Sequence, residues 1–228
     1  TGIPKLGGTA QAKAFMALRR RHEWFSSLAL SIGTCAPSEA LTVNAKPLVL
    51  VGGTAYNFLN VYRPTKLQPG ESDRPLSESF VHRLEFATEA DASAAFAILS
   101  SRLVFWMWHV LGDGFHVASW FLKAIPIGRD SFSNAELDSL SSLGNVLWGK
   151  LQNHRFISVN GGRQTIGFRP LACHEERNDI DAILTDAAGL DDGFTVELLR
   201  FVQENAVVDS TDERRSHVAR LFTESLTQ

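Results

Sequence analysis

Apolar and aromatic side chains are densest over residues 96–127, and their spacing predicts one long buried helix. Thr88 is a suitable N-terminal cap for this helix, which we expect to run to about Leu111. Near its end the helix is apolar on almost every face, which is typical of a helix buried between layers. The glycines at 112 and 114 favour a tight reversal, after which an apolar segment restarts near Trp120.

The N-terminal half shows shorter patterns with periods of 3.6 and 2 residues. They predict, in order, a helix over 10–32, a loop over 33–46, a hairpin of strands 48–51 and 55–62, a surface loop over 63–75 and a half-buried strand over 80–86. The most basic point of the sequence, residues 19–22, lies on the first helix, where we interpret it as a solvated helix face.

The C-terminal half begins with an amphipathic helix predicted over residues 135–151. A hairpin follows over 155–170, because Asn160-Gly161-Gly162 suits a tight turn between two β-rich arms. From residue 175 the pattern is helical. Strands first and helices last predict an α+β fold, with mixed strands and hairpins packed on a buried central helix and a helical C-terminal part. We expect an N-terminal helical segment (1–45), an α+β core (46–175) and a helical segment (176–228).

Composition restricts the classes of function. With 228 residues, 44% of them hydrophobic, the chain can bury a sizeable core. Its net charge of -3 argues against a uniformly basic nucleic-acid-binding domain, so any basic surface must be local. The two cysteines lack metal-ligand spacing and predict reduced thiols in a cytoplasmic protein. The apolar run 103–110 is far shorter than the roughly 20 residues of a membrane span, and the first residue, Thr1, leads us to expect part of a longer protein.

The sequence contains no glycine-rich nucleotide motif, no zinc-protease motif and no nucleophile elbow. Asp113 and His116 are the nearest approach to an acid/base pair or half a metal site, although an Asp in such a turn usually accepts from its own backbone. We interpret Trp106, Trp108 and His109 as core or boundary residues of the long helix. A catalytic role for this chain alone is therefore not expected.

Two segments carry a resemblance to a known family. LSSRLVFWMWHVLGDGFHVASWFLKAIPI, and the hairpin ISVNGGRQTIGFRP followed by EERNDIDAILTDAAGL, resemble the C-terminal target-recognition domain of adenine-specific DNA methyltransferases of the TaqI-like and large restriction-modification or phage-defence types. The resemblance covers roughly residues 48–190. It implies an upstream catalytic domain with S-adenosylmethionine and an Asn-Pro-Pro-Tyr-like loop, neither of which this chain contains. It also implies a non-catalytic, cofactor-free module that grips double-stranded DNA, reads bases and helps to hold a flipped adenine.

Basic and aromatic side chains on loops and on the hairpin are the candidates for DNA contact, because guanidinium groups reach phosphates and base edges and aromatic rings stack. They are Arg63, Lys66, Phe115, His116, Lys123, Arg155 and Arg163. From spacing alone, arginines that keep a hairpin soluble are about as good an interpretation.

The first alternative function is a protein-interaction or assembly module of a defence complex. An exposed apolar patch around Phe115 and Trp120 would favour that alternative, whereas a basic concave face would favour DNA. A third alternative is a metal-free hydrolase that uses Asp113 and His116. We expect a cytoplasmic location and no membrane partner.

Overall fold

The computed structural model describes residues 4–36, 46–55, 58–64, 80–160, 163–168 and 173–206. Its helices are α1 Thr9–Arg19, α2 Glu89–Leu99, α3 Arg102–Leu111, α4 Ser119–Lys123, α5 Asn134–Asn153, α6 His174–Ala187 and α7 Asp192–Asn205. Its strands are β1 Ser31–Cys35, β2 Leu48–Gly52, β3 Val61–Tyr62, β4 Val81–Glu85, β5 Arg155–Asn160 and β6 Arg163–Phe168. The α+β class is confirmed.

A four-stranded antiparallel sheet in the N-terminal half has the order β1-β4-β2-β3. In its register Leu84 lies opposite Ile32 on β1 and opposite Val49 on β2. Leu84 and Val49 belong to the main core, whereas Leu50 and Val81, which alternate with them, form a small cluster of their own. Helix α2 packs on β2 and along α5, so the core of the chain lies between the sheet and these helices.

The central apolar run forms two helices rather than one. Thr88 caps α2 as predicted, since its side chain accepts from the Asp91 N–H, and α3 ends at Leu111 as predicted. The prediction of a continuous helix is wrong, because α2 and α3 meet at a 59° bend. Ser101 starts α3 by accepting from the Val104 N–H. Within the described residues no single helix is long and apolar enough to cross a membrane; α2 and α3 pass by length and composition only as a bent pair.

The N-terminal helix is shorter than predicted. It ends at Arg19, followed by a 3-10 turn over Phe25–Ser27 and then by β1, which pairs with β4 along its length. The predicted helix over 20–32 and the predicted loop over 33–35 are therefore wrong. Pairing with β4 accounts for the difference, because tertiary contacts override a weak helical period.

The two hairpins and the remaining helices follow the predictions more closely. β2 and β3 form a hairpin, although β3 is only two residues long and its connection is wider than predicted. β5 and β6 pair over their full lengths, with the turn residues 161–162 outside the described part of the chain. Gly189, with φ 65°, separates α6 from α7. The charged tail from residue 209 and most of the loop over 63–75 lie outside the described residues, and the three-segment division stays a prediction.

Candidate nucleic-acid interface

The turn after α3 is shaped by Asp113. One carboxylate oxygen accepts from the backbone N–H groups of Phe115 and His116 at 2.8 and 2.7 Å, and the other lies 2.6 Å from Nδ1 of His116. These bonds hold the pKa of Asp113 well below its ordinary value, and the bond with the His116 side chain has the largest effect. Gly114 adopts φ 79°, which a side chain would disfavour. The prediction that Asp113 bonds its own backbone is therefore confirmed.

The backbone of the turn is also joined to the rest of the molecule. His116 forms an antiparallel bridge with Thr54, and the Ala55 N–H donates to the carbonyl of Phe115 at 2.9 Å. The indole N–H of the buried Trp108 donates to the carbonyl of His116 at 2.9 Å. The turn is thus fixed both to the connection after β2 and to α3.

A buried histidine fixes the segment that follows the turn. His82 on β4 is 1% exposed; its Nε2 lies 2.6 Å from the Val117 carbonyl and its Nδ1 lies 3.3 Å from Oγ of Ser119. Burial lowers the pKa of His82, which favours the neutral ring, and the Val117 carbonyl requires a proton on Nε2. In that tautomer Nδ1 accepts from the Ser119 hydroxyl. This contact secures the start of α4.

Four exposed side chains lie on this fixed segment. Phe115 is 37% exposed, Trp120 is 54% exposed, and the His116 side chain is 62% exposed. Lys123 is exposed at the end of α4, three residues after Trp120 and hence on the same helix face, with no carboxylate partner among the described residues. We call Phe115, His116, Trp120 and Lys123 the turn surface.

Arg63 lies elsewhere and its guanidinium is already engaged. Its side chain is 12% exposed and forms an ion pair with Glu89. Nη1 donates to Oγ of Ser93 at 2.7 Å and to Oδ1 of Asn145 at 2.8 Å. Because Ser93 is on α2 and Asn145 on α5, Arg63 joins these two helices and is not part of the turn surface.

The other basic candidates are not brought to the turn surface by any described contact. Lys66 lies outside the described residues. In the β5–β6 register Arg155 is opposite Phe168, while Arg163 is opposite Asn160 at the other end of the hairpin. The ring of Phe168 packs on Trp148 with centroids 5.2 Å apart, so the Arg155 end of the hairpin is fixed to α5.

The sequence patterns missed a buried cluster of charges at the bend between α2 and α3. Asp181 and Arg102 are each 4% exposed and form an ion pair of 2.9 Å. The guanidinium of Arg177 donates to the Ser100 carbonyl at 2.9 Å and lies 4.5 Å from the centre of the Phe58 ring, and burial lowers its pKa to about 10. The four-residue spacing of Arg177 and Asp181 on one helix face was the available signal.

Asp113 and His116 have no further catalytic partners among the contacts described. Both oxygens of the Asp113 carboxylate are occupied by the turn, and the part of the chain that the structure describes holds no group of three or more metal-ligating side chains. The geometry of this pair serves to shape the turn.

Fold and turn surface together define an α+β chain with a rigid, exposed aromatic and cationic turn. Comparison with known proteins adds no relationship, since no family model, no curated protein and no solved structure matches the chain.

Proposed function

We propose that this chain is the sequence-specific DNA-recognition module of an adenine (N6) DNA methyltransferase that acts in restriction-modification or phage defence. The observation that carries the proposal is the turn surface, where two exposed aromatic rings, an imidazole and an ammonium without a carboxylate partner among the described residues lie on a fixed backbone. The module is cytoplasmic and non-catalytic by itself. S-adenosylmethionine and the catalytic loop belong to an upstream domain of the same parent enzyme.

The chemistry of the turn surface suits DNA. Exposed rings can stack on bases, which contributes about 1–3 kcal/mol per base, and the Lys123 ammonium suits a phosphate. Because Asp113 holds Nδ1 of His116, Nε2 is the ring nitrogen left for a base edge or a phosphate. A fixed backbone lowers the ordering cost of binding, since the turn adopts its shape before DNA arrives.

The test is fluorescence anisotropy of the 228-residue chain with a labelled 30-base-pair duplex between about 20 and 150 mM salt. Trp120→Ala should weaken binding about 5- to 150-fold, the equivalent of one lost stacking contact. Lys123→Gln should reduce the slope of log affinity against log salt by about 0.9, the value for one phosphate contact. Val196→Ala, which truncates a side chain that is 54% exposed on α7, is the matched control and should bind as the wild type does.

The proposal fails if the wild-type chain binds no duplex at the lowest salt, or if both variants bind with unchanged affinity and slope.

The protein-interaction function is favoured by one observation, the exposure of Trp120 beside Phe121 in a chain of net charge -3. Salt separates the two functions. Binding to DNA weakens steeply as salt increases, whereas docking of apolar rings on a protein partner does not.

A further inference from the structure

The basic run at the end of α1, residues 19–22, lies outside the turn surface. Arg19 is the last residue of α1 and Arg20 is its C-cap. Cations at a helix C-terminus interact favourably with the helix dipole, which is a sufficient structural reason for one of them. The two arginines are nevertheless both exposed, and neither has a carboxylate partner among the described residues.

The chain that follows this run is fastened next to the turn surface. The Phe25 N–H donates to the Ile125 carbonyl at 2.8 Å, and the Arg129 N–H donates to Oγ of Ser27 at 2.9 Å. The 3-10 turn over Phe25–Ser27 also contacts α4 directly, and α4 carries half of the turn surface. Residues 24–27 therefore lie against the segment that contains α4 and the residues after it.

Close packing at Gly128 fixes the same junction. A Cβ atom on Gly128 would lie 2.7 Å from the backbone oxygen of Trp24 and 2.7 Å from Oγ of Ser27, so the two segments approach as closely as glycine allows. Ser131 adds a 2.5 Å bond from its hydroxyl to the carboxylate of Glu23. The position of residues 23–24 relative to α4 is thereby determined by several independent contacts.

Charge and exposure differ among the residues of this run. Arg21 forms an ion pair with Glu23 at 3.0 Å. Arg19 lies 5.8 Å from the centre of the Phe15 ring, and no carboxylate among the described residues pairs with it. The side chain of Trp24 is 42% exposed. Arg19, Arg20 and Trp24 thus repeat, on the neighbouring segment, the combination of cation and aromatic ring found on the turn surface.

We propose that Arg19, Arg20 and Trp24 extend the turn surface into one continuous DNA-binding face, with the two arginines on backbone phosphates and Trp24 against sugar or base. This inference rests on the proposed function and adds the phosphate-binding part of the site. It also reconciles DNA binding with a net charge of -3, because Arg19 and Arg20 have no carboxylate partner among the described residues while the nearby carboxylate of Glu23 is paired with Arg21.

The test compares two double variants that change net charge equally. Arg19→Gln with Arg20→Gln should reduce the slope of log affinity against log salt by about 1.8, the value expected for two phosphate contacts. Lys13→Gln with Arg200→Gln removes an exposed cation from α1 and another from α7, and should leave the slope at the wild-type value. The same labelled duplex and salt range as above apply.

A third double variant, Arg19→Lys with Arg20→Lys, keeps both charges and should retain the wild-type slope, which separates lost contacts from damage to α1. An unchanged slope in the glutamine variant at 19 and 20, with duplex binding by the wild-type chain intact, overturns this inference but not the proposed function. An equal reduction of the slope in the glutamine variant at 13 and 200 also overturns the inference, because the change in slope would then reflect net charge and not contacts made by Arg19 and Arg20. Absence of any binding by the wild-type chain overturns both.

Discussion

Gly144→Ala should destabilise the protein, because α5 packs directly against the backbone of α2 at Gly144. A Cβ atom at this position would lie 2.1 Å from the backbone oxygen of Ser93 and 3.4 Å from Cβ of Ala97. The first distance is about 1.3 Å short of the 3.4 Å at which ordinary contact begins. The obstacle is backbone within a helix, so a rotamer change cannot relieve the contact and the helices must separate.

Two opposing terms set the magnitude. Overpacking of a tight site costs about 1–3 kcal/mol and occasionally more, whereas replacing glycine by alanine inside a helix gains about 1 kcal/mol. Separation of the helices also lengthens the bonds from Arg63 to Ser93 on α2 and to Asn145 on α5. The 2.1 Å contact with backbone puts the overpacking cost at the upper end of its range, about 3 kcal/mol, so we expect a net loss of about 2 kcal/mol in the free energy of unfolding.

Urea denaturation followed by circular dichroism measures this loss, and the same helix provides a matched control. No atom lies within 4 Å of the position that a Cβ on Gly149 would occupy, so Gly149→Ala should stabilise the protein by about 0.5–1 kcal/mol. The two alanine variants should thus move in opposite directions. Equal or greater stability of Gly144→Ala than of the wild type would refute the close approach of α2 and α5.

Three further changes test other contacts. Asp181→Ala leaves Arg102 charged and buried, so it should lower the free energy of unfolding, measured by urea denaturation, by about 3–5 kcal/mol. Adding Arg102→Met should recover part of that loss. If Asp181→Ala alone is as stable as the double variant, the prediction is wrong. Thr88→Ala should cost about 1 kcal/mol through the lost cap of α2. Burial lowers the pKa of His82, so the unfolded state binds more protons below the ordinary value of about 6.5. Stability should then fall as pH falls from about 6.5 towards the folded pKa, and melting temperatures of His82→Gln should show a shallower fall over that range.

Local signals predicted the parts of the fold that depend on local physics. The cap at Thr88 follows from a hydroxyl that reaches an N–H three residues later, and the β5–β6 pairing follows from arms that flank Asn160 and two glycines. The shape of the 112–116 turn was also predictable, because Asp113 bonds within its own loop. None of these features needs a residue distant in sequence.

Non-local contacts explain what the sequence patterns missed. The apolar run gives no reason to stop at Ser100, but Asp181, 79 positions beyond Arg102, accepts from the Arg102 N–H and thereby satisfies the start of a new helix. β1 likewise exists through its pairing with β4, some fifty residues later by its register. At the α2–α3 bend the predicted burial is correct, and the contact with Asp181 decides the backbone conformation. At β1, whose residues are mostly exposed, pairing with β4 decides it.

The arginines show the same distinction for the candidate site. Arg63, on a proline-bounded loop, has the sequence context of a DNA contact, yet its donors are used by α2 and α5. Arg19 and Arg20 lie on what spacing presents as a solvated helix face and have no carboxylate partner among the described residues. The chain that follows them forms the 3-10 turn that contacts α4. A guanidinium whose N–H donors are held by internal acceptors has fewer donors left for a phosphate, and which donors are held depends on the neighbours in space. For a chain of net charge -3, the pairing of each cation therefore says more about DNA binding than the number of cations does.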